Sequence, residues 1–293
     1  RSEWLEDSEL GDRVRLTAAA APNVGATVVT TATGSLRADV ATRVEFVSDE
    51  LGKGRGALPS ARFTVQWALP EESVRLGGIL AGGYRLPSFS DLFWPLGAFA
   101  VGNPDLDPEM SRSAEVELGG RLATVGTWHG TWQVNGHYTI YRDLIQWLPD
   151  PTGFWRPRNT GGAVTTGIEA MVNGDVPLGL SPWTASIEGT AELLRAVDTS
   201  NGPTQGKQLP YRPLVQGDLV LGMRHLLGLE TSVSLRGVGA RPVTAQNTSW
   251  LDPYLAIDLA ASVPIPPRPG ALTVRWNNIL DQDFVDTRFY PNP

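Results

Sequence analysis

The chain contains no cysteine, which removes disulfides and thiolate metal sites together and leaves the redox compartment unreadable. Histidine is almost as scarce, at three residues. His129 and His137 lie eight positions apart on what reads as one strand face, ~27 Å at ~3.4 Å per residue, too far to share an ion. Positive charge is short as well. There are 24 Lys and Arg against 31 Asp and Glu, a net charge of −7 and a pI near 5.1. Without a basic stripe to neutralise phosphates, nucleic acid is excluded as a partner. No run approaches the ~18 apolar residues of a membrane helix. The opening RSEWLEDSEL has neither the basic n-region nor the apolar h-region of a secretory leader. These absences leave a soluble protein or a membrane β-barrel.

What is abundant is chain punctuation and large rings. The 293 residues include 32 Gly, 23 Pro and 10 Trp, which suits many strands joined by turns better than a helical bundle. Apolar and polar residues alternate with a period of two. In SLRADVATRVEFV (35–47), Leu36, Ala38, Val40, Val44 and Phe46 share one face, and Arg37, Asp39, Arg43 and Glu45 share the other. The same period marks 61–69, 73–85, 113–121, 128–143, 164–176, 183–193, 215–224, 229–237, 254–263 and 271–280. With 12–20 and 24–32 this predicts about thirteen strands.

Alternation does not say whether the apolar face looks into a core or into lipid. Three features favour lipid. Many segments run to ten residues or so, enough to cross a bilayer when tilted. Rings recur on the apolar rows near strand ends, where an interfacial girdle belongs: Trp67, Tyr84, Trp128, Tyr138, Trp183, Tyr254 and Trp276. Connections alternate in length, long at 48–59, 86–111, 144–163, 197–212 and 239–253, and shorter at 70–72, 122–127, 177–182, 225–228 and 264–270. Long loops on one rim and tight turns on the other are the habit of outer-membrane barrels.

Motifs that carry chemistry are few. GKGRGALPS (52–60) and NGPTQGKQ (201–208) lack the spacing of a phosphate loop and no helix pattern follows them. There is no G-x-S-x-G elbow and no close Ser, His and acid set, so an enzyme is not expected. Asp105, Asp107 and Glu109 could offer carboxylates to Ca²⁺, but Asn-Pro and Asp-Pro are turn formers. No metal site and no cofactor are expected.

One loop departs from the soluble pattern. Between two alternating segments, YRLPSFSDLFWPLGAFAVGNPDLDPEMS is too rich in Pro and Gly for a long helix, yet carries Tyr84, Phe89, Phe93, Trp94 and Phe99. Exposed rings on that scale mark a binding surface. The two halves, Tyr84, Arg85, Pro87, Ser88 and Leu92, then Gly102, Asn103, Pro104, Leu106, Pro108, Glu109 and Ser111, resemble the mid-barrel signature of TonB-dependent outer-membrane receptors. YRDLIQWL, RNTGGAVTTGIEAMV, YRPLVQGDLVLGM and LTVRWNNILDQDF resemble successive strand ends of that family, although Phe284 stands where Tyr is usual.

The resemblance implies an all-β fold, an antiparallel transmembrane β-barrel of about twenty-two strands, of which about thirteen are present. It also implies a plug domain that these residues do not include. Residues 1–293 are therefore expected to be the C-terminal part of the barrel domain. The implied function is energised uptake across the bacterial outer membrane. The expected partners are a small-molecule ligand (a siderophore–metal chelate or a corrinoid such as cobalamin), the TonB complex acting through the plug, and outer-membrane lipid. Phe93, Trp94, Phe99, Trp155, Arg156 and Trp250 are the candidate ligand contacts, since rings stack on apolar skeletons and Arg neutralises anions. The motif residues from Tyr84 to Ser111 are expected to be structural. A small porin, a barrel enzyme or a soluble all-β binding domain would also alternate in this way.

Overall fold

The computed structural model describes residues 2–5, 13–49, 57–97, 99–122, 129–149, 154–265 and 270–286. The first strands are β1 (Ser2–Leu5), β2 (Arg13–Ala20), β3 (Asn23–Thr31), β4 (Gly34–Asp49), β5 (Ala57–Ala68) and β6 (Arg75–Arg85). A five-residue helix, α1 (Phe89–Phe93), precedes β7 (Glu109–Arg121), β8 (His129–Pro149), β9 (Trp155–Pro177) and β10 (Trp183–Asp198). Then come β11 (Val215–His225), β12 (Glu230–Val238), the two-residue β13 (Arg241–Pro242) and β14 (Trp250–Leu251), β15 (Tyr254–Pro264) and β16 (Ala271–Trp276). Apart from the small β13–β14 pair, all strands belong to one antiparallel sheet in which chain neighbours are sheet neighbours, except that β2 and β3 both pair with β4. The sheet is open, with β1 and β16 at its two ends.

Two expectations about the strands need correction. Segments 12–20 and 24–32 form strands as expected, β2 and β3, but they lie end to end along one edge of β4 and do not make two separate crossings. Residues Arg15–Ala20 pair with Asp49–Val44, and Asn23–Thr31 continue along the same edge of β4 from Ala41 to Gly34. They are one crossing strand broken at Pro22, which has no N–H to give to the ladder. The ladder resumes at once, the Thr42 amide donating to the Pro22 carbonyl at 3.0 Å. The other correction concerns 144–163, expected as a long loop. β8 and β9 pair as far as Pro149 and Trp155, so the connection is short and an extended hairpin stands above the sheet. Gly-Gly at 161–162 and Pro157 disguised the strand in the sequence. The glycine-rich stretch at 51–56, Trp128 and the prolines at 266–269 lie outside the described residues.

The register carries the two faces across the sheet. One rung joins Leu36, Trp67, Leu76, Leu118, Val134, Ala170 and Ala191. The adjacent rung joins Arg37, Gln66, Gly77, Glu117, Asn135, Glu169, Glu192 and Gln216. Because the side-chain period is two, a slip of one residue in any pair would put carboxylates into the apolar row. Large apolar side chains on the first face are exposed, among them Leu80 at 59 %, Val116 at 60 % and Leu193 at 55 %. The few buried apolar residues, such as Val47, Leu58, Leu92, Leu106, Ala163 and Ala196, gather near the long-loop rim. A greasy exposed wall with a polar opposite face is a barrel in lipid, not a sandwich around a core. Near the short-turn rim the apolar wall ends in Trp67, Trp132 and Trp183, an interfacial girdle. His225 packs edge-on to Trp183, with ring centroids 4.7 Å apart, and so belongs to that girdle and not to the polar face.

Arginine at position 40, on the lipid wall of β4, should cost about 2–4 kcal/mol of membrane assembly near the midplane. Asp39→Asn on the other face should be mild, since its partner is the exposed Arg37 at 2.7 Å. Urea-titrated folding of the full-length protein into lipid vesicles measures both. Equal tolerance at the two positions would contradict this assignment of faces.

Candidate functional site

The segment 86–108 folds as a compact cap over the long-loop rim, and its motif residues hold it there. Pro87 is fully buried, and its carbonyl accepts from the Arg15 guanidinium at 2.7 Å. That guanidinium also lies 4.9 Å from the centre of the Phe89 ring. Ser88 and Asp91 form a capping box around the start of α1: the Asp91 amide donates to Ser88 Oγ at 3.1 Å and the Ser88 amide to Asp91 Oδ2 at 2.9 Å. Asp91 Oδ1 also accepts from the Trp147 indole N–H at 2.9 Å, tying the helix to β8. Leu92 and Leu106 are nearly inaccessible, at 1 % and 2 % exposure.

Behind the helix the chain doubles back. Gly102 and Asn103 donate their amides to the carbonyls of Trp94 and Asp91 at 2.9 and 2.8 Å. A Cβ on Gly102 would lie 2.5 Å from the Trp94 nitrogen and 2.8 Å from the Leu92 carbonyl, so only glycine permits this approach. The Asn103 side chain donates to the Pro157 carbonyl at 3.0 Å, and Asn159 bonds the backbone of Asp107 and Asp143. Glu109 accepts from Arg85 and, at 2.7 Å, from the Ile145 amide. The Glu109 carboxylate, one of three considered for Ca²⁺, is thus engaged in joining β6, β7 and β8. Tyr84 reaches across β5 to Glu45, and Ser111 Oγ donates to the Gly83 carbonyl. Pro104 and Pro108 flank the buried Leu106 and fix the return of the chain to β7.

Four of the six candidate contacts meet on this cap. Phe93 stacks on Phe89, with centroids 6.2 Å apart, and Trp94 meets Trp147 edge-on at 6.4 Å. The Trp155 amide donates to the Phe99 carbonyl at 2.8 Å, and the Trp155 carbonyl accepts from the Val101 amide, so that 99–101 runs as a short parallel bridge beside β9. Phe99, Trp94 and Trp155 remain exposed at 76 %, 42 % and 46 %. Arg156 follows Trp155 on a strand, and successive side chains point to opposite faces. It is therefore exposed on the outer wall, away from the rings. Trp250 lies on β14, outside the main sheet, with its indole N–H donating to the Asn247 carbonyl at 2.9 Å.

Sequence reasoning missed Trp147. Carrying the alternation of β8 past Tyr141 places it on the inner row, the signal that would have found it. It forms one wall of a cavity of about 260 Å³ whose other side is Asp198, Gln208, Leu209, Pro210 and Ala245. Gln208 is buried; its backbone exchanges hydrogen bonds with the Asn247 side chain at 2.9 and 2.8 Å, which joins the loop 199–214 to the loop that bears Trp250. Asp198 lies five residues beyond Leu193 and above the lipid wall. Burial pushes its carboxyl up, but hydrogen bonds from Ser200 and Thr204 outweigh it and hold Asp198 below the ordinary carboxylate range. The mouth thus combines stacked rings, an apolar recess and an anionic edge.

Residues 16–279 match the family described as TonB dependent receptor-like, beta-barrel. The chain belongs to the TonB-dependent receptor barrel family. It is 29 % identical over 215 residues to the vitamin B12 transporter BtuB of Photobacterium profundum, covering 71 % of this chain and 32 % of that protein. It is 34 % identical over 101 residues to the vitamin B12 transporter BtuB of Vibrio vulnificus, covering 34 % and 15 %. The siderophore receptor PiuA from Acinetobacter baumannii shares the fold with a TM-score of 0.67 at 15 % identity, over 94 % of this chain and 41 % of that one. The chain spans about a third of the length of the first of these curated relatives. As a member of this family it is an outer-membrane β-barrel protein, and the open sheet is part of the family's larger barrel.

The close approach at Gly102 makes one substitution diagnostic. Gly102→Val in the full receptor should release the cap from Trp94 and Leu92 and raise protease cleavage within 86–108 several-fold, while the barrel still assembles, because the strand ladders do not involve this residue. Unchanged cleavage would show that the cap does not depend on that contact.

Proposed function

We propose that residues 1–293 are the C-terminal part of the barrel of an outer-membrane active-transport receptor. It binds a scarce, bulky solute at the long-loop mouth and passes it inward when the TonB complex acts on a plug domain carried by the rest of the receptor. The observation that carries this reading is the exposed ring set Trp94, Phe99 and Trp155 on a cap braced from β6 to β9. Rigid rings presented on a hydrogen-bonded scaffold bind planar or apolar skeletons with little ordering cost. Transport needs binding and release and no bond chemistry, so no catalytic residue is assigned.

Between the two ligand classes, a corrinoid is favoured. The relatives in sequence carry the name of vitamin B12 transporters, whereas the siderophore receptor PiuA is alike in fold alone at 15 % identity. The anionic edge at Asp198 also suits a ligand with amide donors better than a polycarboxylate chelate.

Titration of the full receptor with cyanocobalamin tests this. Trp94→Ala combined with Trp155→Ala should weaken binding by about 1–2 kcal/mol for each ring that stacks on the ligand, with assembly intact. Wild-type affinity in the double variant would remove the cap from recognition, and tight binding of a ferric siderophore in place of cyanocobalamin would reassign the ligand class.

A further inference from the structure

The outer wall is not uniformly apolar. On the described strands, the carboxylates of Asp39, Glu115, Glu117, Glu169, Glu188, Glu192, Asp218 and Asp258 all fall on the inner row. Arginines supply the positive charge of the outer row, and Asp143 on β8 lines the same side. Arg112 follows Val116 and Ala114 on β7, Arg142 follows Tyr138 and Ile140 on β8, and Arg195 follows Leu193 on β10; all three are exposed. All three stand on the side of the apolar belt nearer the long loops. A chain with more acids than bases has thus gathered cations on one band of its outer surface, where Asp143 is the acid beside them.

Arg112 and Arg142 also border a groove. Arg112 pairs with Ile140, so Arg142 is its diagonal neighbour, with Cα atoms ~7–8 Å apart. A recess of about 450 Å³ between them is floored by Pro59, Ala61, Gly82, Met110 and Ile140. Gly82 leaves the floor open, since a Cβ there would meet nothing closer than the Ser111 carbonyl at 3.8 Å. Tyr84 leaves it open too, its hydroxyl bonded to Glu45 of the inner row. Asp143 lies at the upper end of the recess, so two guanidinium groups face one carboxylate.

We propose that this groove binds a phosphorylated lipid of the surrounding outer-facing leaflet, an acyl chain lying along Gly82 and the phosphate held between Arg112 and Arg142. An apolar channel that opens on the membrane side has the hydrocarbon of the bilayer as its neighbour. Paired guanidinium groups at its headgroup end match a phosphate through charge-assisted forked hydrogen bonds. Arg195 extends the cationic band across β10 for neighbouring headgroups. The solute mouth faces the other way, so this site is independent of ligand transport.

The test uses the full-length receptor in a non-ionic detergent, with phosphatidylglycerol as the probe and native mass spectrometry as the readout. Arg112→Gln with Arg142→Gln should weaken retention of the lipid about tenfold, equivalent to ~1.4 kcal/mol. Gly82→Leu, which fills the channel and leaves both charges, should weaken it as well. Arg224→Gln, on the inner row, should have no effect, and diacylglycerol, which lacks the phosphate, should bind poorly to the wild type. Equal phosphatidylglycerol retention in wild type and in both groove variants would overturn the proposal. So would displacement of the lipid by an equal concentration of inorganic phosphate, which would mark the pair as a free-phosphate site.

Discussion

Everything in this structure depends on the need to satisfy backbone hydrogen bonds in a medium that offers none. In lipid each unpaired N–H or C=O costs several kcal/mol, which leaves closed barrels and helices as the only spanning folds. The ladders from β4 to β12 meet that requirement without interruption across the apolar belt, and Pro22, which breaks the strand between β2 and β3, keeps its carbonyl in use through Thr42. Once the ladder is fixed, register follows and the two faces follow from register. The rung that holds Leu36, Trp67, Leu118 and Val134 lies beside the rung that holds Arg37, Glu117, Asn135 and Glu169. Polarity is thus sorted by pairing alone, with almost no interior packing to help.

The cap over the mouth is organised differently. It has no long element of its own, so buried polar bonds set its shape. Asp91 ties the start of α1 to Trp147, Asn103 and Asn159 tie the return segment to β8 and β9, and Glu109 closes the base with Arg85. Leu92 and Leu106 supply its apolar centre. Most of the motif residues between Tyr84 and Ser111 are occupied in this way, and the rings left over are the ones free to meet a solute. Support and recognition are therefore divided among different residues of the same loop.

Much of the fold was legible in the sequence because its physics is periodic. A two-residue alternation over eleven or more segments reports a face that the structure reproduces rung by rung, and connection lengths report the two rims. The errors fell where alternation is locally masked. Pro22 divided one strand into two apparent ones, and Pro157 with Gly161 and Gly162 hid the upper part of the β8–β9 hairpin. That second error had consequences for the site: it set Trp155 and Arg156 side by side in a supposed loop, whereas strand geometry separates them, and it concealed Trp147. The association of the loop around Gln208 with the loop around Asn247 was not legible at all, since it rests on side-chain to backbone bonds between segments 39 residues apart.

The absence of cysteine from the chain allows the central assignment, an apolar wall in lipid and a polar wall in water, to be measured residue by residue. Single cysteines placed along β7 from Ala114 to Leu118 in the full receptor, spin-labelled and reconstituted in vesicles, report collision with oxygen dissolved in lipid and with a water-soluble nickel chelate. Labels at Ala114, Val116 and Leu118 should favour oxygen, and those at Glu115 and Glu117 the chelate, with a strict period of two. A uniform response along the strand, or an inverted one, would contradict the barrel assignment of the faces.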